Sequence, residues 1–246
     1  TGEIFLMKTK WFKRSLPSFC TSNFEVIKSI LLFAKLKNFP VLIECTSNQV
    51  NQQGGYTGLK PKEFRKRVKL LSKKINFKKS YLIFGADHLG PLPWKKFNKK
   101  KAFLNAKKLL NLTLKENFEK IHLDTTIRCA KEKNLSLDDV RLRFKELFKV
   151  IPKKNLKNLY LVAGSEVPLA GGGDVKESIS KLKDIKKDYS IYDKILNKSK
   201  NAKEFALVIE PGMSFGNFGV IKPSFHKLKK LLKYSKKKNI VFEAHS

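Results

Sequence analysis

The sequence predicts an α/β fold in which parallel strands alternate with helices, in the manner of a TIM (β/α)8 barrel. Short apolar runs alternate with amphipathic segments along all 246 residues, as repeated βα units require. Most apolar runs end in a polar or ionisable residue, as at Glu44, Asp87 and Glu210, and in a barrel such strand ends converge on one mouth. No GxGxxG motif follows the first predicted strand, which argues against an open dinucleotide-binding sheet.

Seven strands are predicted, and the helices between them carry apolar residues at helical spacing. The strands are expected near residues 16–20, 40–46, 81–87, 120–124, 159–166, 205–210 and 239–245. Helices are expected to begin after capping residues such as Asn23 and Ser224, since these side chains accept bonds from the first turn. After Ser224, the stripe formed by Phe225, Leu228 and Leu232 is expected to face the sheet.

Seven strands leave the barrel one βα unit short. We therefore expect residues 1–246 to form a single barrel domain that is truncated at the C-terminus, and the initial Thr1 is compatible with truncation at the N-terminus as well. The length is sufficient for one large hydrophobic core.

The net charge of +32 comes almost entirely from lysine. Of the 53 basic residues, 47 are Lys and six are Arg, whereas the recognition of phosphates and bases favours the arginine fork. The lysines are spread over every predicted helix and loop. A solvated lysine surface is therefore favoured over specific nucleic-acid binding. A weak attraction to polyanions still follows from the positive electrostatic field of the lysines.

The number of cysteines and the lengths of the apolar runs indicate the cellular compartment in which the protein is expected. Cys20, Cys45 and Cys129 are odd in number and lack metal-binding spacing, which favours a reduced, cytoplasmic setting. Cys45 lies within a strand and is expected to be a small buried residue. No apolar run reaches the ~18 residues of a membrane span, so no membrane association is expected. No GxxxxGK[ST] loop is present, so no nucleotide cofactor is expected either.

The strongest chemical motif is "FGADHLGP" at residues 84–91. Its Asp87 and His88 stand where a strand becomes a loop. A neutral imidazole is a good ligand for a divalent metal, and an adjacent carboxylate can orient it or move a proton. Glu166 and His245 end two other predicted strands, and with His88 they are the predicted ligands of Zn²⁺ or another divalent cation. The alternative is that His88 is a loop histidine with no ligand role.

The neighbouring strand motif "KIHLD" contributes His122 and Asp124. We expect His122 to be a packed core residue, because it lies in the middle of the strand, and Asp124 to reach the mouth. The predicted mouth positions are nearly free of lysine. This argues against an aldolase that forms a Schiff base.

An uncharged loop, "TSNQVNQQGGYTG" at residues 46–58, follows the second predicted strand. Its candidate ligand-binding residues are Asn48, Gln49, Asn51, Gly54, Gly55 and Tyr56. In one interpretation the side chains bind a polyhydroxylated or phosphorylated ligand and the glycines shape the loop. In the other, the amides satisfy the loop's own backbone and present it to a partner. The sequence leaves both open.

Several of these motifs together resemble the GatZ/KbaZ family, the non-catalytic subunits of class II D-tagatose-1,6-bisphosphate aldolase. They are "LIECTSNQVNQQGGYTGLKPKEFR", "GADHLGP", "KIHLD", "SEVPLAGG", "EPGMSF" and "VFEAHS", in family order from about Leu16 to Ser246. The resemblance implies a class II aldolase-like TIM barrel that acts with a separate catalytic subunit in galactitol or N-acetylgalactosamine catabolism. That partner cleaves tagatose 1,6-bisphosphate to dihydroxyacetone phosphate and glyceraldehyde 3-phosphate.

The resemblance also implies roles for single residues. Asp87 and His88 resemble the proton-transferring Asp and the adjacent zinc-binding His of catalytic class II aldolases, and His245 resembles the zinc-binding His of a late strand. Where those enzymes place a further His after the sixth strand, this chain has "EPGMSFGNF", which implies an accessory role unless Glu166 or Glu210 substitutes. The alternative is a self-sufficient metal-dependent aldolase or epimerase acting on ketose phosphates.

Overall fold

The structure is a computed structural model, and it describes residues 15–156, 158–164, 180–196, 205–211, 215–216, 219–220 and 224–244. The chain divides between Leu159 and Tyr160 into two compact units. Each unit is built from strands and helices in alternation, as the sequence predicts.

Among the described residues of the first unit there are four strands and five α-helices. The strands are β1 (Ser18–Cys20), β2 (Val41–Thr46), β3 (Leu82–Leu89) and β4 (Lys120–Leu123). The helices are α1 (Phe24–Lys37), α2 (Pro61–Lys74), α3 (Lys99–Lys115), α4 (Leu137–Phe148) and α5 (Lys153–Leu156). The four strands pair in chain order, and every pairing is parallel.

In the part of the second unit that the structure describes, there are three parallel strands, two helices and a short ribbon. The parallel strands are β5 (Tyr160–Ala163), β6 (Phe205–Ile209) and β9 (Val241–Ala244). The helices are α6 (Leu182–Leu196) and α7 (Phe225–Lys238), and the antiparallel ribbon is β7 (Phe215–Gly216) with β8 (Gly219–Val220). All seven predicted strands are therefore present.

The helices begin and end where their sequences indicate. In α1, the Asn23 side chain accepts hydrogen bonds from the backbone of the first turn, a cap that stabilises a helix by about 1 kcal/mol. Ile27, Leu31 and Ala34 of α1 are fully buried, as expected from their spacing. The longest described helix, α3, has 17 residues. None of the described helices is long and apolar enough to cross a membrane.

The two faces of the first unit's sheet differ in chemistry. Cys45 of β2 and Ala86 of β3 are register partners and lie beside Pro61 of α2 and Leu109 of α3. This face packs on helices, and Cys45 is buried there as predicted. Because successive strand residues point to opposite faces, Glu44 is placed on the face turned away from α2 and α3.

The prediction of which α7 residues face the sheet is wrong for two of them. Phe225 is 80% exposed and Leu232 is 55% exposed, whereas Leu231 is buried. Tyr234 lies three residues after Leu231 and makes an edge contact with Tyr189 of α6. Both choices of stripe satisfy a 3.6-residue period, so the packing between α6 and α7 decides which one is buried.

A half-buried carboxyl on α6 makes stability depend on pH. Burial and the neighbouring Asp184 raise the pKa of Asp188 to about 6, above the value of about 3.9 in an unfolded chain. The folded chain therefore binds the proton more tightly. The stabilisation is fully present below about pH 3.9 and is lost as pH rises through about 6.

We therefore expect Asp188→Asn to stabilise the chain at pH 7.5 by about 1 kcal/mol. This is less than the free energy that corresponds to the full pKa difference, because the carboxyl group is partly solvated. The gain is expected to shrink toward pH 4.5, where the wild-type carboxyl is mostly protonated. Urea unfolding at the two pH values measures it. An equal effect at both pH values would contradict the assignment.

Candidate metal centre

Six ionisable residues of β2, β3, β4 and the turns that follow them form one group on the face opposite the helices. We call this group the charge cluster, and its members are Glu44, Asp87, His88, Lys120, His122 and Asp124. All are buried except His88, which is partly accessible. The cluster lies entirely within the first unit.

A glycine on the middle strand allows the first ion pair of the cluster to form. Gly85 is the register partner of both Glu44 and Lys120. A Cβ at Gly85 would lie 2.5 Å from a carboxylate oxygen of Glu44, so a larger residue would displace that side chain. Across this gap Nζ of Lys120 lies 2.7 Å from Oε2 of Glu44. The Ser18 hydroxyl donates to the other carboxylate oxygen of Glu44.

An irregularity in β3 turns two consecutive side chains toward β4. The pairing with β4 shifts register between Ala86 and Leu89, and Asp87 and His88 occupy that shift. The backbone of His88 is left-handed, with φ of 45°, and its carbonyl accepts a hydrogen bond of 2.9 Å from the Ser47 hydroxyl. Because a bulge redirects side chains that would otherwise alternate, Asp87 and His88 both reach residues of the β4 segment.

Asp87 contacts three other members of the charge cluster. Its Oδ1 lies 2.9 Å from Nδ1 of His122 and 3.3 Å from Nζ of Lys120, and its Oδ2 lies 3.3 Å from Nε2 of His88. Burial opposes the ionisation of Asp87, but Lys120, His122 and His88 outweigh it and hold its pKa well below the usual value. Asp87 is therefore a carboxylate at neutral pH, and both of its oxygens are engaged.

Asp124 holds the other side of the His88 ring. Its Oδ2 lies 3.5 Å from Nδ1 of His88, and its Oδ1 accepts hydrogen bonds from the backbone and hydroxyl of Thr126. Burial raises the pKa of Asp124, but the bond to His88, the charge of His122 and the bonds from Thr126 lower it overall. A carboxylate behind an imidazole is the usual support of a metal-binding histidine, since it fixes the ring orientation.

Three members of the cluster fit a divalent cation by type and spacing. One potential ligand atom from each of Asp87, His88 and His122 lies within 4.8 Å of the other two. Two imidazoles and a carboxylate are a common ligand set for Zn²⁺ with an open position. The ammonium of Lys120 lies beside the same Asp87 carboxylate, so a metal bound there would share that ligand with a second cation.

The structure brings together some of the predicted site residues. Asp87 and His88 are adjacent in space as well as in sequence, and both contact the β4 segment. Glu166 and His245 lie outside the described residues, so their proposed role as ligands stays a prediction.

The sequence interpretation missed two members of the cluster. His122 is buried as predicted, yet it contacts Asp87 rather than forming part of an apolar core. Lys120 is not among the predicted site residues, because it begins β4 and the sequence prediction places site residues at the ends of strands. The "KIHLD" motif does contain the signal, since residues at positions i, i+2 and i+4 of a strand share one face, and these are Lys120, His122 and Asp124.

Two side-chain amides of the loop after β2, those of Gln49 and Asn51, hold the loop's own backbone. Oε1 of Gln49 accepts from the backbone N–H of Thr46, and Oδ1 of Asn51 accepts from two backbone N–H groups farther along the loop. A Cβ at Gly55 would lie 2.4 Å from the carbonyl oxygen of Gln49, so a glycine is required there. Tyr56 is 72% exposed. The loop is internally fixed and displays one aromatic ring.

Comparison with solved structures defines the class of fold. The structure of the YdjI aldolase from Escherichia coli K12 matches with a TM-score of 0.57 and 10% identity, over 99% of this chain and 72% of that chain. Fructose-bisphosphate aldolase from Campylobacter jejuni matches with a TM-score of 0.56 and 18% identity, over 98% and 67%. The fold is thus of the TIM-barrel type found in these aldolases, as predicted.

Sequence comparison identifies the family within that class. The family model of the GatZ/KbaZ-like D-tagatose-1,6-bisphosphate aldolase subunits matches residues 3–246, and the chain belongs to this family. The GatZ subunit of D-tagatose-1,6-bisphosphate aldolase from Escherichia coli O7:K1 is 32% identical over 241 residues, covering 93% of this chain and 57% of the relative.

A solved structure described as a probable tagatose 6 phosphate kinase from Sinorhizobium meliloti 1021 is also similar. It matches with a TM-score of 0.82 and 30% identity, over 95% of this chain and 59% of that chain. The chain therefore spans little more than half the length of the relatives that it matches.

Lys120 is expected to be essential for stability because it neutralises two buried carboxylates. Lys120→Met should lower the free energy of unfolding by about 3–5 kcal/mol, the usual cost of leaving a buried charge without its partner. Lys107→Met is the matched control, since Lys107 also forms an ion pair of 2.7 Å, with Glu146, but at the surface. It should lower the free energy of unfolding by at most about 1 kcal/mol. Urea unfolding in the presence of a chelator compares the two, and equal losses would contradict the assignment.

Proposed function

We propose that this chain acts in the accessory subunit of a class II D-tagatose-1,6-bisphosphate aldolase. In this role it binds and stabilises a separate catalytic subunit, which cleaves the ketose bisphosphate to two triose phosphates in the cytoplasm during galactitol or N-acetylgalactosamine catabolism. The match of residues 3–246 to the family of these subunits supports the assignment.

The observation that carries the accessory role is the environment of Asp87. A general base must hold an oxygen within hydrogen-bonding reach of the substrate proton that it removes. In the charge cluster, Oδ1 of Asp87 faces Lys120 and His122, and Oδ2 faces His88. An Asp87 held in this way positions its neighbours and is poorly placed to move a proton, in spite of its resemblance to the catalytic residue of related enzymes.

A divalent metal is the proposed cofactor of the same site, bound weakly and reversibly because Lys120 already balances part of the carboxylate charge. Asp87, His88 and His122 are the described residues that would hold it, and Glu166 and His245 stay proposed ligands from the sequence. When bound, Zn²⁺ or a similar ion supplies Lewis acidity toward a sugar-phosphate carbonyl or hydroxyl. Asp124 would keep the His88 ring in place on the side away from Asp87.

This ligand set favours a second candidate, a self-sufficient metal-dependent aldolase or epimerase acting on ketose phosphates. Zinc-supported cleavage of tagatose 1,6-bisphosphate by the chain alone, abolished in His88→Ala, would establish this second function. We expect no cleavage above background.

The loop after β2 is the proposed contact surface for the catalytic subunit. The amides of Gln49 and Asn51 are engaged within the loop, which favours presentation to a partner over direct binding of a sugar phosphate. Asn48 and Tyr56 are the candidates for ligand contact in the other interpretation, with Gly54 and Gly55 shaping the loop. An exposed aromatic ring on a rigid loop is a frequent anchor in protein interfaces.

Co-purification and activity assays test the proposal. The chain should co-purify with a catalytic class II D-tagatose-1,6-bisphosphate aldolase subunit and raise its activity or thermal stability. Tyr56→Ala should lower this activation several-fold by weakening the complex. Phe225→Ala, which alters another exposed aromatic residue, should leave it unchanged.

Two outcomes would count against these proposals. A catalytic subunit that is equally active and stable without this chain would remove the accessory function. If Tyr56→Ala instead raises the KM for tagatose 1,6-bisphosphate while the complex forms normally, Tyr56 contacts the substrate and the loop is a ligand-binding element.

A further inference from the structure

The charge cluster already contains a cation of its own. Lys120 is 1% exposed, and its ammonium lies 2.7 Å from Oε2 of Glu44 and 3.3 Å from Oδ1 of Asp87. Burying an ammonium is costly unless opposite charges compensate it. Here two buried carboxylates do so, and Lys120 in turn neutralises them.

The ammonium is a fixed part of the cluster. Its side chain passes the gap left by Gly85, where a Cβ would collide with Glu44. Glu44 is buried and its other oxygen accepts from the Ser18 hydroxyl. Withdrawing Lys120 from Asp87 would therefore also disturb a buried carboxylate on the neighbouring strand.

A divalent ion at Asp87, His88 and His122 would lie a few ångströms from this ammonium, because Lys120 and the ion would share the Asp87 carboxylate. Like charges at such a distance repel strongly at the effective dielectric of a protein site. Even after relaxation and partial screening, we expect the repulsion to weaken the binding of a divalent ion by at least about 100-fold.

We propose that Lys120 is a built-in cation that takes the electrostatic place of a metal beside Asp87 and limits the metal affinity of the Asp87, His88 and His122 group. Lys120 is a positioning residue in this scheme, since it holds Asp87 toward His122 and His88. The inference concerns metal affinity alone and does not rest on the accessory-subunit function.

Metal titration of the whole 246-residue chain tests the proposal. Zn²⁺ is titrated by calorimetry and Co²⁺ by its visible absorption, which reports the coordination geometry. The main variant is Glu44→Gln with Lys120→Met, which removes the cation together with one carboxylate that it neutralises, so that the net charge of the cluster is unchanged. Lys107→Met removes a surface lysine and serves as the control.

We expect the double variant to bind both metals about 10-fold more tightly than the wild type, because losing the Glu44 carboxylate offsets part of the gain from removing the ammonium. Adding His122→Ala to it should abolish the gain, which separates this site from adventitious binding at the cysteines. Lys107→Met should behave like the wild type. Circular dichroism checks that each variant is folded. If the double variant does not fold, it is replaced by Glu44→Gln with Lys120→Gln, in which the two side chains can still form a hydrogen bond.

Either of two results would overturn the inference. One is stoichiometric zinc binding by the wild type with a Kd below about 1 μM that is lost in His122→Ala. The other is metal affinity that stays unchanged in a folded variant without the Lys120 ammonium.

Discussion

A lysine ammonium buried between two carboxylates sets the arrangement of the whole charge cluster. Lys120 draws Glu44 from β2 and Asp87 from β3 toward β4, and Asp87 then engages His122 and His88. The cost of burying these charges is large and is offset only by close mutual contact. The pairing thus fixes how three neighbouring strands present their side chains.

Two backbone features make this pairing possible. Gly85 leaves the space in which Glu44 and Lys120 meet across β3. The register shift at Asp87 and His88 then lets the side chains of two adjacent residues contact residues of the same neighbouring β4 segment. A left-handed backbone at a histidine is uncommon, and such conformations persist where surrounding contacts enforce them. The Ser47 hydroxyl bonded to the His88 carbonyl is one such contact.

Membership of the GatZ/KbaZ-like family and this arrangement of charges give a consistent picture. The cluster contains the adjacent Asp87 and His88, and a buried lysine stands beside the Asp87 carboxylate. A centre in which an internal ammonium takes part in balancing the charge is consistent with the proposed accessory role. The same ligands would still accept a divalent ion if the lysine charge were removed, which links the two proposals through one residue.

The sequence by itself determined the elements of the fold and part of the site. Apolar periodicity located all seven strands, caps such as Asn23 located helix starts, and the adjacent Asp87 and His88 marked the candidate centre, because each of these signals is local in the chain. The tertiary structure decided which face of α7 is buried and that Lys120 joins Glu44 and Asp87, from strands 76 and 33 residues away. Those outcomes depend on helix packing and on the register between strands, and a local pattern does not encode either of them.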